Sequence, residues 1–135
     1  MLPFETRALP AQPDALAPDG SHIRLLLRNP GLSMVHCHLP AGAVSTAVTH
    51  RTVEEVWYVV AGQGEIWRKQ GEHEAVVTLQ PGQCLTIPLG THFQFRAASG
   101  QSVSVIVATA PPWPGDDEAI EVNGPWPATQ AYLSG

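Results

Sequence analysis

Two stretches of the sequence decide the fold: GAVSTAVTHRTVEEVWYVVAG at residues 42–62 and GQCLTIPLGTHFQF at residues 82–95. In the first stretch His50 and Glu55 flank a short turn, so two antiparallel strands would bring the imidazole and the carboxylate to the same mouth. Gly62 follows, and glycine permits the positive φ of a tight reversal. The stretches therefore predict short strands joined by tight turns, with a polar pair at one end.

Short apolar runs broken by turn residues continue on both sides, from about residue 21 to residue 109. Thirteen Pro and twelve Gly supply the backbone angles that many chain reversals need. Within the runs apolar and polar side chains alternate, as in SVSVIV at 102–107, which is typical of strands with one buried face. The predicted strands are 22–28, 33–39, 55–60, 65–69, 75–79, 84–87, 93–97 and 103–109. The chain is therefore predicted to be all-β, as a sandwich or a barrel.

The two flanks of this region differ in composition. Residues 2–20 are rich in proline, and residues 110–135 contain PPWPGDDEA and NGPWP with two of the four Trp. Because proline removes ladder donors, both flanks are predicted to be irregular arms, and the indoles indicate that the second arm is pinned to an apolar surface. The acidic run 116–118 is predicted to be a solvated bend. We expect one domain over 1–135, with a barrel core at about 21–109 and a Pro- and Trp-rich arm at 110–135.

Charge and composition argue against several classes of partner. The net charge is −5, and the seven Lys and Arg form no basic stripe for nucleic acid. No run reaches the roughly 20 apolar residues of a membrane-spanning helix, and the start, MLPFETRALPAQPD, does not resemble an export signal. We therefore expect a cytoplasmic protein, with no membrane partner and with Cys37 and Cys84 reduced. Cys84 is interpreted as a small buried apolar residue.

Particular residues of the opening stretches stand in an order shared with a known family. They are Gly42, His50, Glu55 and Gly62, with six residues between the last two, and then Gly82, Pro88 and Gly90. In this order and spacing they resemble the two motifs of the cupins, over about residues 42–96. The resemblance implies a double-stranded β-helix, or jelly-roll barrel, here with irregular N- and C-terminal arms.

The resemblance also implies a metal site, from which this sequence departs. In cupins two or three His and one Glu bind a divalent metal, which suits Fe, Mn, Ni, Zn or Cu. Here His50 and Glu55 match, whereas the other His positions fall on Val48 and Phe93. His92 stands one residue early and faces the opposite side of a strand, unless a bulge at the barrel rim turns it inward. The expected ligands are therefore His50, Glu55 and His92, with a weakly held metal or none.

Glu55 has several interpretations. Of the adjacent Glu54 and Glu55, one faces into the barrel and the other outward, and the family match makes Glu55 the inner one. A buried carboxylate without a cation has a raised pKa, which indicates a metal ligand or a general acid or base. The alternative is an ion pair with Arg51 or Arg96.

Aromatic and further histidine residues also have two interpretations each. Trp57, Trp67, Phe93 and Phe95 are candidates for binding a ring-shaped ligand, but such residues are more often plain core. His36 and His38 have the spacing of a metal pair on one strand face. Because the core needs the face that carries Cys37, we expect both His side chains to face solvent or a partner subunit.

Three functions remain open. The first is a cupin that binds a small polar molecule in the barrel mouth, with or without a divalent metal. The second is a metal-dependent enzyme, such as a sugar-phosphate isomerase, an oxygenase or a lyase, although the few Lys and Arg give little support to a phosphate site. The third is a non-catalytic structural or regulatory barrel. Sheet edges and apolar arms predict a homodimer in each case.

Overall fold

The computed structural model describes residues 1–17 and 19–129 of the chain. This part contains eleven strands and one short 3-10 helix. The strands are β1 (Ala15–Leu16), β2 (His22–Asn29), β3 (Leu32–Leu39), β4 (Val48–His50), β5 (Glu54–Gly62), β6 (Gly64–Gln70), β7 (His73–Leu79), β8 (Cys84–Ile87), β9 (His92–Ala97), β10 (Val103–Ala110) and β11 (Ala119–Glu121), and the 3-10 helix is Asp116–Glu118. All eight predicted strands are present, to within one or two residues at each end. No helix among the described residues is long and apolar enough to cross a membrane.

The strands form two antiparallel sheets. The large sheet has the order β1-β2-β3-β10-β5-β8, and the small sheet has the order β11-β4-β9-β6-β7. One apolar core contains residues of both sheets. The predicted all-β jelly-roll barrel is confirmed.

Strict alternation along β5 explains how the sequence makes an inside and an outside. Glu55, Trp57 and Val59 are buried, whereas the residues between them are exposed. Successive side chains of a strand point to opposite faces, so a run as apolar as EEVWYVV still presents only half of its side chains to the core. The predicted inward direction of Glu55 follows directly from this register.

The chain changes sheet at Gly62, where we predicted a tight reversal. β5 belongs to the large sheet and β6 to the small one, so the AGQG segment carries the chain from one sheet to the other instead of closing a hairpin. Gly62 has φ +82°, and a Cβ atom there would lie 1.7 Å from the carbonyl oxygen of Ser102. Glycine is required at this crossing, but for close backbone approach as well as for its positive φ.

The predicted pairing of His50 with Glu55 through a hairpin is also wrong. β4 pairs with β9 and β11 in the small sheet, whereas β5 lies in the large sheet. The two side chains therefore approach the interior from opposite sheets. The short β4 escaped the sequence analysis because three residues give too little periodicity to recognise.

Both flanks contain more regular structure than we predicted. β1 pairs with β2, and β11 pairs with β4, so each arm adds a short edge strand. The two indoles of the second arm are pinned as expected: Trp113 packs against the core, and Trp126 lies under the guanidinium of Arg96, 4.0 Å from its carbon to the ring centroid. The predicted arm extends to residue 135, and its part from 130 onward lies outside the described residues.

Candidate functional site

A cavity of about 810 Å³ lies between the two sheets and the arms. This volume is within the usual range for sites that bind small molecules. The side chains in its wall that bear on chemistry are His50, Glu55, Trp57, Phe93, Thr109 and Trp113. The arms contribute to the wall as well, which the sequence did not indicate.

Glu55 is a buried carboxyl group with two neutral hydrogen-bond donors. The indole Nε1 of Trp57 donates to Oε1 at 3.0 Å, and the hydroxyl of Thr109 donates to Oε2 at 2.8 Å. Burial raises the pKa of Glu55 to about 7, although these two hydrogen bonds oppose the shift. Glu55 is therefore poised to gain or lose a proton near neutral pH.

The ion pairs that we considered for Glu55 are not formed. The Nε of Arg51 donates to the carbonyl oxygen of Asp117 at 2.9 Å, and Arg96 pairs with Glu65 at 2.7 Å. Neither guanidinium compensates the carboxylate of Glu55. The alternative of a structural salt bridge is therefore wrong.

His50 is buried in the wall of the same cavity. Its ring meets Phe93 and Trp113 edge-on, with centroid separations of 5.3 and 5.2 Å. Burial lowers the pKa of His50 to about 4, against the attraction of the Glu118 carboxylate. Its Nδ1 is buried and has no hydrogen-bond partner among the described residues. At neutral pH His50 thus offers an uncharged imidazole.

The structure does not bring His92 to His50 and Glu55. His92 precedes Phe93 on β9 and pairs with Lys69 on β6, and Phe93, not His92, lines the cavity. The family's other ligand positions, Val48 and Phe93, present apolar side chains to the same cavity. Within residues 1–17 and 19–129 no three His, Cys, Asp or Glu side chains are grouped as a metal site requires. His50 and Glu55 alone are a poor fit for a resident metal ion, which proteins usually hold with three or four ligands.

The four aromatic candidates divide into two groups. Trp57 and Phe93 line the cavity, with ring centroids 5.7 Å apart. Phe95 is fully buried behind them and packs edge-on against Trp57 at 5.0 Å. Trp67 lies on the other face of its strand, where its indole N–H donates to Glu74 at 3.3 Å. Only Trp57 and Phe93 are therefore placed to touch a ligand in this cavity.

His36 and His38 lie on the outer face of the large sheet. Nδ1 of His38 is 2.9 Å from the hydroxyl of Ser104, and its ring lies 6.0 Å from that of His22. The intervening Cys37 faces the interior and lines the cavity. Cys84 is exposed, so the interpretation of Cys84 as a buried residue is wrong. The outer histidines are separate from the candidate site.

Asp19 is a second carboxyl group in the cavity wall that sequence analysis missed. Its Oδ1 accepts hydrogen bonds from the backbone N–H and the hydroxyl of Ser21, at 3.0 and 2.6 Å. Burial raises the pKa of Asp19, against these bonds. It stands in the proline-rich arm, where no periodicity or motif could have signalled its position.

Glu118 fixes the segment that connects His50 to Glu55. Its carboxylate accepts hydrogen bonds from the backbone and hydroxyl of Thr52 and from the backbone N–H of Val53. Although burial opposes the shift, these bonds hold the pKa of Glu118 below its ordinary value. The prediction of a solvated bend is wrong for this residue, which is 3% exposed. The second arm thereby clamps the turn at the cavity.

Comparisons with known proteins agree with this architecture. Residues 35–109 match the sequence profile of the cupin domain. Among solved structures, KdgF from Halomonas sp. is 26% identical, with a TM-score of 0.61 over 73% of this chain and 83% of that one. A Pac13 variant from Streptomyces with uridine is 15% identical, with a TM-score of 0.68 over 90% of this chain and 92% of that one, which shows the fold alone.

No curated protein sequence matches the chain. The profile match covers more than half of the chain, and the barrel, its two sheets and the inward Glu55 agree with it. The chain belongs to the cupin domain family.

Proposed function

We propose that the cavity binds a small polar organic molecule, with Glu55 as its principal polar contact. The observation that carries this proposal is the buried carboxyl group of Glu55, which faces an open volume and forms no ion pair with any of the described residues. A buried polar group without a full set of partners costs free energy, which a ligand in contact with it recovers. Trp57 and Phe93 supply the apolar surface that such a ligand needs.

Amide NMR spectra of the protein, recorded with a panel of small amines, carboxylic acids, sugars and nucleosides, test this proposal. We expect at least one compound to shift the resonances of residues along the cavity wall, such as Val48 and Thr109. Glu55→Gln should weaken that binding, whereas Glu54→Gln, which alters the exposed neighbour on the opposite face, should not. Shifts confined to the outer faces, or equal losses in the two variants, would contradict the proposal.

Acid–base catalysis on the bound molecule is a second candidate function, favoured by the pKa of Glu55. A group with a pKa of about 7 is present in both protonation states at neutral pH, so it can take a proton from a substrate and return it. Elimination of water from a hydroxyl compound needs both steps, because a C–H proton must leave and the departing hydroxyl must be protonated. Pac13, which has the same fold, is a nucleoside dehydratase. This role would be supported by turnover of a substrate whose rate depends on pH with a bell-shaped or sigmoid profile near pH 7. Glu55→Gln should abolish that turnover.

We also propose that two copies of the chain associate through the outer face of the large sheet. This face exposes four large apolar or aromatic side chains, those of Met34, Val56, Tyr58 and Val60. Because exposed apolar patches mark surfaces that bind other proteins, the patch favours an interface there. Light scattering should give the mass of a dimer, and Val56→Lys should shift it to that of a monomer. A monomeric wild-type protein at micromolar concentration would contradict the proposal.

A further inference from the structure

The charged side chains of the cavity wall differ in exposure according to the sign of their charge: the most buried ones are acidic, and both arginines are exposed. The wall contains four acidic residues, Glu5, Asp19, Glu55 and Asp116, and two arginines, Arg7 and Arg28. Glu55 is 8% exposed and Asp19 is partly buried, whereas the other acids and Arg28 are exposed. Arg7 stands on the N-terminal arm, 3.4 Å from Asp14. The inner part of the cavity, as far as the described residues define it, therefore carries two carboxyl groups and no guanidinium or ammonium group.

Neither inner carboxyl group has a cationic partner within residues 1–17 and 19–129. The ion pairs within the described residues involve other side chains: Arg7 with Asp14, Lys69 with Glu74 and Arg96 with Glu65. Asp19 and Glu55 are instead bound by hydroxyl, amide and indole donors. Neutral donors compensate a buried negative charge only in part, so a positive charge placed between the two groups would be strongly favoured.

Aromatic rings line the same space. Trp57 and Phe93 are 5.7 Å apart, Phe93 and His50 are 5.3 Å apart, and His50 and Trp113 are 5.2 Å apart, all edge-on. This chain of rings joins the large sheet to the second arm along the cavity wall. The faces of Trp and Phe rings attract cations through their quadrupoles, most strongly where water is excluded.

An unused hydrogen-bonding atom completes the set. His50 is 8% exposed and lines the cavity, and its Nδ1 has no partner in the part of the chain that the structure describes. Buried polar atoms of native proteins are seldom left without a partner, so this one is available for a hydrogen bond to a ligand or to water. An ammonium group has N–H donors and no acceptor, so it can donate to a carboxylate or to an unprotonated imidazole nitrogen of this wall.

We propose that the ligand of this cavity is a small organic cation, a primary amine in its ammonium form. Its charged end lies between Asp19 and Glu55, and its body lies against the rings of Trp57, Phe93 and Trp113. The inference rests on the proposal that the cavity binds a small organic molecule, and it specifies the class of that molecule. It also explains why aromatic and acidic residues share the inner wall while the two arginines of the wall are exposed.

Three probes with one ring skeleton and different charge test the inference: benzylammonium, benzyl alcohol and benzoate, titrated into chelator-treated full-length protein by calorimetry. Benzylammonium should bind at least about tenfold more tightly than the alcohol, because the alcohol leaves a buried carboxylate without a cationic partner, which costs more free energy than a tenfold change in affinity. Benzoate, which brings a second negative charge, should bind least. Asp19→Asn and Glu55→Gln should each weaken the cation about tenfold or more and leave the alcohol nearly unchanged. The control Glu54→Gln, on the exposed outer face of the strand that carries Glu55, should change neither.

The outcomes separate the two proposals. Tighter binding of benzyl alcohol or benzoate would overturn the cationic ligand and leave the small-molecule cavity standing. Binding by none of the three probes would also overturn the cationic ligand. The proposal that the cavity binds a small molecule would be rejected only if no compound of the wider NMR panel shifted resonances of the cavity wall. Binding of Mn or Zn ions without binding of the amine would assign the acidic wall to a metal instead. If Asp19→Asn fails to fold by thermal melting, Trp113→Leu provides a second variant, which should weaken the cation more than the alcohol.

Discussion

The two ends of the barrel use the same strands in opposite ways. The end away from the cavity, here called the closed end, is filled by the apolar core. Its completely buried side chains include Val59, Ile66, Leu79 and Phe95. At the other end the same inward register places Glu55 on β5 around the cavity, with Thr109 on β10 and Phe93 on β9. Each strand therefore contributes to packing at one end and to the site at the other. His50 and Glu55, two buried ionisable residues that break the rule of an apolar interior, stand where a ligand can reach them, as expected for a functional site.

The largest effect in this comparison is expected at the closed end, from Gly62→Val. The new Cβ would overlap the backbone of Ser102, and valine resists the positive φ of this position. Backbone cannot move aside as a side chain can, so we expect a loss above about 4 kcal/mol in the free energy of unfolding, or no folded protein. Urea unfolding measures it.

Gly82→Val is the matched control for this change. Gly82 has φ +93°, but a Cβ there meets nothing within 4 Å. Its cost isolates the backbone strain, roughly 1–3 kcal/mol. Equal losses in the two variants would show that the approach of β10 to Gly62 is not tight.

A smaller difference is expected between two phenylalanines of one strand. Phe95→Ala should lower the free energy of unfolding by about 3–5 kcal/mol, because it leaves a hole in close-packed surroundings. Phe93→Ala should cost less, since Phe93 borders a cavity and has fewer packing contacts to lose. The same change should weaken ligand binding at Phe93 and leave it intact at Phe95. A larger loss of stability for Phe93→Ala than for Phe95→Ala would mean that the cavity end, not the closed end, contributes more to the stability of the core.

The pH dependence of stability should reveal two opposing titrations at the cavity. Burial raises the pKa of Glu55 from 4.5 to about 7, so its contribution is complete below pH 4.5 and is lost as the pH rises to 7. Burial lowers the pKa of His50 from 6.5 to about 4, so its contribution is lost as the pH falls from 6.5 to 4. Each shift corresponds to about 3 kcal/mol, so these two groups give slopes of opposite sign between pH 4.5 and 6.5, and Asp19, whose pKa burial also raises, adds to the slope of Glu55.

Single variants of metal-free protein separate these slopes. With Glu55→Gln the slope of the free energy of unfolding against pH should become more positive than in the wild type across this window, because the opposing contribution of Glu55 is removed. With His50→Gln the slope should become more negative than in the wild type. Urea unfolding at a series of pH values gives both profiles, and the slopes matter more than the absolute values, because each substitution also alters hydrogen bonds. Parallel profiles for the wild type and both variants would show that neither group is perturbed by burial.

Sequence analysis predicted the barrel well because alternation and turn residues are local signals. The inward direction of Glu55 and the pinned indoles of the second arm followed from strand register and from the apolar character of Trp. The connections were harder, since nothing in AGQG distinguishes a hairpin from a crossing between sheets. That distinction depends on which strands pair, and pairing is decided by contacts far apart in the sequence.

The candidate site was predicted only in part for a similar reason. His50 and Glu55 lie within a recognisable motif, whereas Asp19, which lines the cavity, and Glu118, which holds the segment after His50, come from the arms, where no periodicity assigns a direction to a side chain. Glu118 in particular stands in an acidic run that is indistinguishable from a solvated bend. Its role appears only when the second arm is seen to close on the segment that follows His50.

The smallest effect that we predict concerns His92 and is a null result. Since no three possible ligands are grouped among the described residues, the affinity of this cavity for a divalent metal should be low, and His50→Ala should lower it further, by about tenfold to a hundredfold or more. His92→Ala should leave it unchanged, because Phe93 takes the inward direction and strand alternation turns His92 away. Calorimetric titration of metal-free protein with Mn, Fe, Ni and Zn compares the three proteins. An equal loss in both variants would require a rim bulge that rotates His92 inward, and it would restore a metal site with three protein ligands.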